Sequence, residues 1–330
     1  MNVIDLKKFA GEEEFDTIVE QYRFKPFWWV RQVDSASQSR LMRRHLEQMR
    51  ETETAVILGA YSQHDLELCG FVTLSPLVWD SEHFGVSVWR VGHLGVWGDL
   101  ALQRETACAL VHSLVSRAYS VGAQTLFIWI PLDAICVIHA LESVGFHIME
   151  SQVYWAFDLK GQTLPLPKTD AVYRAHTLAD TESLVALARR MYTHIPDRFH
   201  ADPQFPVAAS DELYARWLYN SCTGEAADHI LVLDVNGRVA GYSTMRFLDD
   251  QAGLCNIRMG QLLLGAIEPE FRQKGLYDDL LRSSLLWLQS VQADLAFVGT
   301  QSNNIMAQMG MARSGWRPVC GGLSLHFWQS

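Results

Sequence analysis

Gly265-Ala266-Ile267-Glu268-Pro269-Glu270-Phe271-Arg272-Gln273-Lys274-Gly275-Leu276-Tyr277 joins an apolar run to an amphipathic one through a basic turn that contains a glycine. The run before it, Met259 to Ile267, is apolar except for Gln261 and lies between polar segments, the pattern of a buried strand. After it, Leu276, Leu280, Leu281, Leu285 and Leu288 recur at three- and four-residue steps and mark the inner face of a helix. A turn from strand into helix leaves the first amides of the helix unpaired and aimed at whatever sits at its N-terminus. Phosphate satisfies them. Gly275 lets the backbone approach a ligand, and Arg272 and Lys274 add positive charge. Taken alone the turn reads as either a surface loop or an anion cradle, and the rest of the chain decides between them.

Around the turn the second half reads as one α/β unit. Asp180 to Met191 is predicted as a helix capped by Thr177 or Asp180, and Asp211 to Tyr219 as another. His229 to Asp234 and Val239 to Phe247 alternate as strands across the Asn236-Gly237 hairpin turn. The strand to Ile267, the helix to Ser290, a strand Leu295 to Thr300, a helix from Asn304 and a last strand Leu323 to Trp328 complete it. The first half repeats this order: strands Thr54 to Ala60, Leu68 to Leu74 and Ser87 to Val96, a helix Leu102 to Tyr119, a strand Thr125 to Ile130 and a helix Ala134 to Ser143. Its turn, Gly95-Val96-Trp97-Gly98-Asp99-Leu100, has no lysine or arginine, and Asp99 stands where it would itself occupy the helix amides. Residues 161–168, rich in proline and polar side chains, are predicted as the linker between a first domain of 1–160 and a second of 169–330.

Composition excludes several classes. The 330 residues exceed the usual single-domain length, and a 49% hydrophobic content can fill two cores. The apolar runs are too short to span a bilayer, and Met1 to Lys8 lacks the apolar centre of a signal peptide, so a cytoplasmic protein without a membrane partner is expected. Six dispersed cysteines without a Cys-x-x-Cys pair indicate neither a zinc site nor a disulfide framework. A net charge of −10 opposes a general nucleic-acid surface, and with it a tRNA-dependent transferase. Oligomeric state is left open.

Arg272-Gln273-Lys274-Gly275-Leu276-Tyr277 resembles the Arg/Gln-x-x-Gly-x-Gly/Ala loop of the GNAT acyltransferase superfamily, and Asn304 to Trp316 is similar to its Asn-x-x-Ala-x-x-x-Tyr-x-x-x-Gly-Phe helix. Arg198-Phe199-His200-Ala201-Asp202-Pro203-Gln204-Phe205-Pro206, Asp211 to Trp217 with Asn220-Ser221, Trp79 to Gly85 and Leu141 to Phe157 resemble dTDP-fucosamine acetyltransferases and their relatives. The resemblance implies a mixed α/β (α+β) fold of two tandem GNAT-like domains, each a mixed twisted sheet flanked by helices, with the first lacking the cofactor loop. It implies acetyl-CoA or another acyl-CoA as cofactor. The backbone of Leu264, Ala266 and Ile267 would align the pantetheine, and Arg272, Gln273, Lys274, Gly275, Leu276 and Tyr277 would hold the pyrophosphate. Asn304 would bond the pantetheine arm or merely cap its helix. Met311 departs from the pattern, standing where the family places the tyrosine that protonates the leaving thiolate, and by that place it would lie in the cofactor site near the thioester and line a flexible acyl pocket.

An amine must reach the thioester unprotonated, so a base is needed. His200, titrating near neutrality, Glu268 at the end of the strand, and Tyr242 on the preceding hairpin are the candidates. His200 reads equally as a loop-ordering residue and Glu268 as a solvated strand end. Arg198, Arg216 and Arg246 are the cations available for an anionic acceptor, while Asp202 either steers an amine or starts a turn before Pro203. The resemblance implies N-acylation of a small-molecule primary amine, best an amino sugar on a nucleotide. A small amine, amino acid or natural-product intermediate is the first alternative, and a non-catalytic acyl-CoA-binding scaffold the second. The first half is expected to shape or support the acceptor site.

Overall fold

A computed structural model describes all residues except 10, 64, 65, 194, 249–252 and 330. Among the described residues the chain forms two compact units, Met1–Ser151 with Gly321–Ser330, and Gln152–Cys320. Each carries a mixed α/β fold.

In the first unit the strands β1 (Asn2–Asp5), β2 (Val56–Tyr61), β3 (Leu68–Pro76), β4 (Val88–Val96) and β5 (Thr125–Pro131) stand side by side in that order. The C-terminal strand β12 (Arg317–Trp328) follows, its residues from Gly322 to Trp328 pairing antiparallel with β5. Only β4 and β5 are parallel. The helices α1 (Leu6–Phe9), α2 (Glu12–Gln21), α3 (Ser35–Glu51), α4 (Val78–Phe84), α5 (Leu100–Ser120) and α6 (Ile135–Ser143) complete this unit. Strand alternation divides its core: Leu58 packs with Leu110, Val111 and Leu114 of α5, while its neighbour Ile57 packs with Phe15, Ile18, Met42 and Leu46 of α2 and α3. The helix α3 was not anticipated, although Leu41, Met42, Leu46 and Met49 trace a buried stripe and Asp34 caps it through the Ser37 amide.

The second unit begins within β6 (His147–Asp158), whose residues from Gln152 pair antiparallel with β11 (Leu295–Gln301). Next come β10 (Met259–Ile267), β9 (Arg238–Phe247), β8 (His229–Val235) and β7 (Val172–Ala175), with β10 and β11 the parallel pair. The helices are α7 (Thr181–Tyr192), α8 (Val207–Cys222), α9 (Leu276–Ser290) and α10 (Ile305–Arg313). Leu280, Leu285 and Leu288 of α9, the face anticipated from spacing, pack on Leu231, Leu233, Leu262 and Ala296, while α7 lies against β9, β10 and α8.

The expected boundary at 161–168 differs from this division. Those residues are irregular, but they fall inside the second unit, because β6 is a strand of that unit's sheet. The chain leaves the first unit within β6 and re-enters it within β12. All six cysteines are free, and no helix among the described residues is long and apolar enough to cross a membrane.

Candidate functional site

The parallel ladder between β10 and β11 runs from Met259↔Leu295 to Leu262↔Val298 and stops, although β10 continues to Ile267 and β11 to Gln301. The cause is a bulge. Leu263 and Leu264 together oppose Thr244 of β9, since pairing resumes only at Gly265↔Ser243. The buried Thr244 hydroxyl fixes it by accepting from the Leu264 amide at 3.0 Å. From there backbone direction alternates. Leu264 faces β9, as does Ala266, whose carbonyl lies against Gly241, and Glu268, whose amide donates to Ala240. Gly265 and Ile267 therefore face the open side. Of Leu264, Ala266 and Ile267, the residues expected to align a pantetheine, only Ile267 faces the open side; the two-for-one bulge turns Leu264 and Ala266 toward β9 and leaves Gly265 with Ile267 as the edge to which an extended chain can add.

The turn beyond this edge is built as a concavity. Pro269–Phe271 form a 3-10 turn, Gln273 and Gly275 both adopt left-handed conformations (φ 61° and 78°), and Arg272 to Gly275 are exposed. Gly275 is the N-cap of α9, and the helical ladder starts with the Asp279 amide donating to the Gly275 carbonyl at 3.2 Å. The amides of Leu276, Tyr277 and Asp278 precede it and point out of the helix start. Arg272 Nε donates to the Ile267 carbonyl at 3.0 Å, tying the turn to the open edge, and the Lys274 ammonium lies 5.3 Å from the Phe271 ring centroid.

Two carboxylates in the first turn of α9 would repel an anion, and both are neutralised. Asp278 pairs with Arg313 at 3.0 Å. Burial works against the charge of Asp279, but the Thr169 and Lys168 amides and Arg282 outweigh it and hold that carboxyl below its usual range. Leu276 is buried, and Tyr277 packs against Gly310, so its ring points away from the exposed turn. The exposed amides, the paired acids and the two cations fit a diphosphate, and the open edge fits an extended amide-bearing arm.

The remaining predicted residues divide. Asn304 caps α10, accepting from the Ala307 amide and donating to the Thr300 hydroxyl at 3.2 Å. Met311 is buried in the core beside Leu280 and Trp316 and lines no open surface. His200 does not have a free nitrogen: Nδ1 contacts Asp197 at 2.9 Å and Nε2 contacts Asp211 at 3.0 Å. Burial disfavours its charge, yet the hydrogen bonds to Asp211 and Asp197 prevail and raise its pKa. With both nitrogens engaged it orders its loop and has no lone pair open to an amine. Asp202 is buried and accepts from the Gln204 amide at 3.0 Å, a turn function.

Glu268 is not a solvated strand end. It is 5% exposed, with one oxygen on Arg190 and the other 2.6 Å from Arg238. Burial opposes ionisation, but the Arg190 hydrogen bond and the two guanidinium charges overcome it and lower its pKa, which makes it an anchor for the turn and a poor proton acceptor. Tyr242 is fully buried on β9 beside Tyr192, and desolvation, the largest influence, raises its pKa well above the ordinary value. Arg246 donates to the Glu225 carbonyl at 2.8 Å, Arg198 lies over the Phe199 ring at 4.5 Å, and Arg216 sits half-buried on α8.

The residue that sequence reading missed is Tyr192. Its hydroxyl donates to the Gly265 carbonyl at 3.1 Å and accepts from the Gly265 amide at 3.3 Å, on the open side of β10. No spacing pattern joins residues 73 apart.

A bulged strand splayed from its parallel neighbour, followed by a glycine-bearing turn into a helix, defines the GCN5-related N-acetyltransferase (GNAT) fold, and the chain carries this fold twice. No protein-family model matches the chain. It is similar in structure to a GCN5-related N-acetyltransferase from Sphaerobacter thermophilus (12% identity, TM-score 0.58, 87% of this chain and 85% of that one). A GCN5-related glucosamine N-acetyltransferase region of a fungal multi-domain GH3 β-N-acetylglucosaminidase also matches (14%, TM-score 0.62, 99% and 38%). So does a tandem GNAT protein from the clavulanic acid biosynthesis pathway (12%, TM-score 0.53, 99% and 98%). Among curated proteins it is 29% identical over 149 residues to the spore coat polysaccharide biosynthesis protein SpsD of Bacillus subtilis (strain 168). That match takes in 45% of this chain and about half the length of the relative (48%).

Proposed function

We propose that the chain is an acyl-CoA-dependent N-acyltransferase whose second unit binds the cofactor and whose acceptor is the primary amine of an amino sugar carried on a nucleotide. The observation that carries the reading is the exposed turn, with left-handed Gly275 at the start of α9, directly continuous with the open edge of β10 at Gly265 and Ile267. When bound there, acyl-CoA supplies the activated thioester. Arg272, Lys274 and the amides from Leu276 onward hold the diphosphate, while Gly265 and Ile267 align the arm and offer an amide to the carbonyl oxygen. Much of the rate enhancement then comes from positioning. The amino-sugar assignment draws on the likeness to SpsD and to the fungal glucosamine N-acetyltransferase region. Arg198, Arg216 and Arg246 are the cations assigned to the nucleotide phosphates, and their alanine variants should raise the acceptor KM.

Thiol release from acetyl-CoA, followed with a panel of amino sugars, sugar nucleotides and simple amines, tests the assignment. Release stimulated most by an amino-sugar nucleotide supports it; preference for an amino acid or simple amine transfers the activity to another acceptor class. A second reading, an acyl-CoA-binding protein without catalysis, draws on the ion pairs that occupy both His200 and Glu268. Tight CoA binding without thiol release above background would favour it.

A further inference from the structure

A residue whose backbone faces an open strand edge offers both its amide and its carbonyl to an added chain. At Gly265 one phenol takes both. The hydroxyl of Tyr192, last residue of α7, donates to the carbonyl at 3.1 Å and accepts from the amide at 3.3 Å. At Ile267 the carbonyl accepts from Arg272 Nε at 3.0 Å. The two residues that the bulge leaves as the edge are therefore both engaged by side chains of the second unit.

Tyr192 is held there from several sides. Its ring stacks on Tyr214 of α8 at 4.3 Å between centroids, with an interplanar angle of 12°, and the phenol of Tyr242 stands beside it. The two residues before it also reach the edge and its turn: Arg190 pairs with Glu268, and the Met191 sulfur accepts from Arg272 at 3.6 Å. The end of α7 is thus a strap of three successive residues. Desolvation, the largest influence on Tyr192, pushes its pKa up to about 12, so at neutral pH the phenol keeps the proton that the Gly265 carbonyl accepts.

An acceptor for the Gly265 amide must lie roughly 3 Å from that nitrogen. The Tyr192 oxygen already stands in that place, so an arm laid along the edge and this phenol exclude one another. We propose that Tyr192 is a displaceable plug, an internal competitor of the acyl-bearing arm, an inference that rests on the acyl-CoA reading above. The diphosphate meets the exposed turn without touching Gly265, whereas the arm reaches Gly265 only after the phenol has swung out. The apparent affinity for acyl-CoA is then reduced by the fraction of molecules in which the edge is free. Without ligand, the same contacts keep a bare strand edge from pairing with another chain.

The test titrates two ligands into the full chain by calorimetry: acetyl-CoA, and phosphoadenosine diphosphate, the half of coenzyme A that carries the diphosphate and ends before the arm. Tyr192→Phe removes both hydrogen bonds to Gly265 and keeps the ring that stacks on Tyr214. It should bind acetyl-CoA about tenfold more tightly than the wild-type chain does, because the plugged state loses its advantage. Its affinity for phosphoadenosine diphosphate should be unchanged. An unchanged or weakened affinity for acetyl-CoA overturns the proposal, and so does an equal change for both ligands, which marks a structural role. Phosphoadenosine diphosphate binding in both proteins, with no gain for acetyl-CoA in the variant, overturns the plug and leaves the acyl-CoA reading standing. Failure of both proteins to bind either ligand overturns that reading together with it.

Discussion

The two units solve the same backbone problem and then part at one turn. In each, a four-pair parallel ladder stops at a bulge: Val88↔Thr125 to Val91↔Ile128 in the first, Met259↔Leu295 to Leu262↔Val298 in the second. In each a threonine hydroxyl facing the bulge accepts the second bulged amide, Thr73 from His93 at 2.8 Å and Thr244 from Leu264 at 3.0 Å. Beyond this point only residues 97–99 separate β4 from α5, whereas residues 268–275 separate β10 from α9. The short turn closes on itself: Asp99 accepts from the Leu102 amide at 2.9 Å, and the Gln103 side chain donates to the Gly98 carbonyl. The long turn leaves its amides exposed and carries Arg272 and Lys274. The splay of the strands is thus a property of the fold, and the exposed turn with its two cations belongs to the second unit alone.

Replacing residues 268–275 by Trp97-Gly98-Asp99 should erase this difference. Acyl-CoA affinity is expected to fall on the order of 100-fold, about 2.7 kcal/mol, while far-ultraviolet circular dichroism remains that of the folded chain. Thr244→Val and Thr73→Val each strand a buried amide at a bulge and should each cost about 1–3 kcal/mol of stability by chemical denaturation. Only Thr244→Val should also weaken acyl-CoA binding; equal effects on binding would merge the two halves again. Asp99→Ala removes a helix cap worth about 1 kcal/mol. It should lower the denaturation midpoint without creating a second ligand site.

The smallest effect concerns pH. Asp197 and Asp211 raise the pKa of His200 above its unfolded value of about 6.5, so the stabilisation is fully present below that pH and is lost as pH rises through the folded value. The melting temperature of the wild-type chain should therefore decline from neutrality upward, and His200→Gln should remove that part of the slope. A slope unchanged by the substitution would show that the ion pairs do not couple to folding.

The repeated element order and the glycine-bearing turn into α9 were legible because they lie in local pattern: Met259 to Ile267, the leucines of α9, and a glycine where φ is above zero. What was not legible depends on partners far apart in sequence. Glu268 reads as a solvated strand end until Arg190, 78 residues away, covers it, and His200 keeps both its base and its loop-ordering readings until Asp197 and Asp211 occupy its two nitrogens. The bulge is invisible because Leu263 and Leu264 look alike to any periodicity, so the open edge was assigned to Leu264 and Ala266 in place of Gly265. The crossing of β6 and β12 between units escaped for a similar reason: alternation marks a strand but does not say which sheet receives it.

The central claim is that one turn, in one of two equivalent units, confers cofactor binding. Titration calorimetry of acetyl-CoA into the full chain measures it directly. The account predicts one site per chain, lost when residues 268–275 are replaced by Trp97-Gly98-Asp99 and retained in Asp99→Ala. Two sites per chain, or binding that survives the turn replacement, would contradict it.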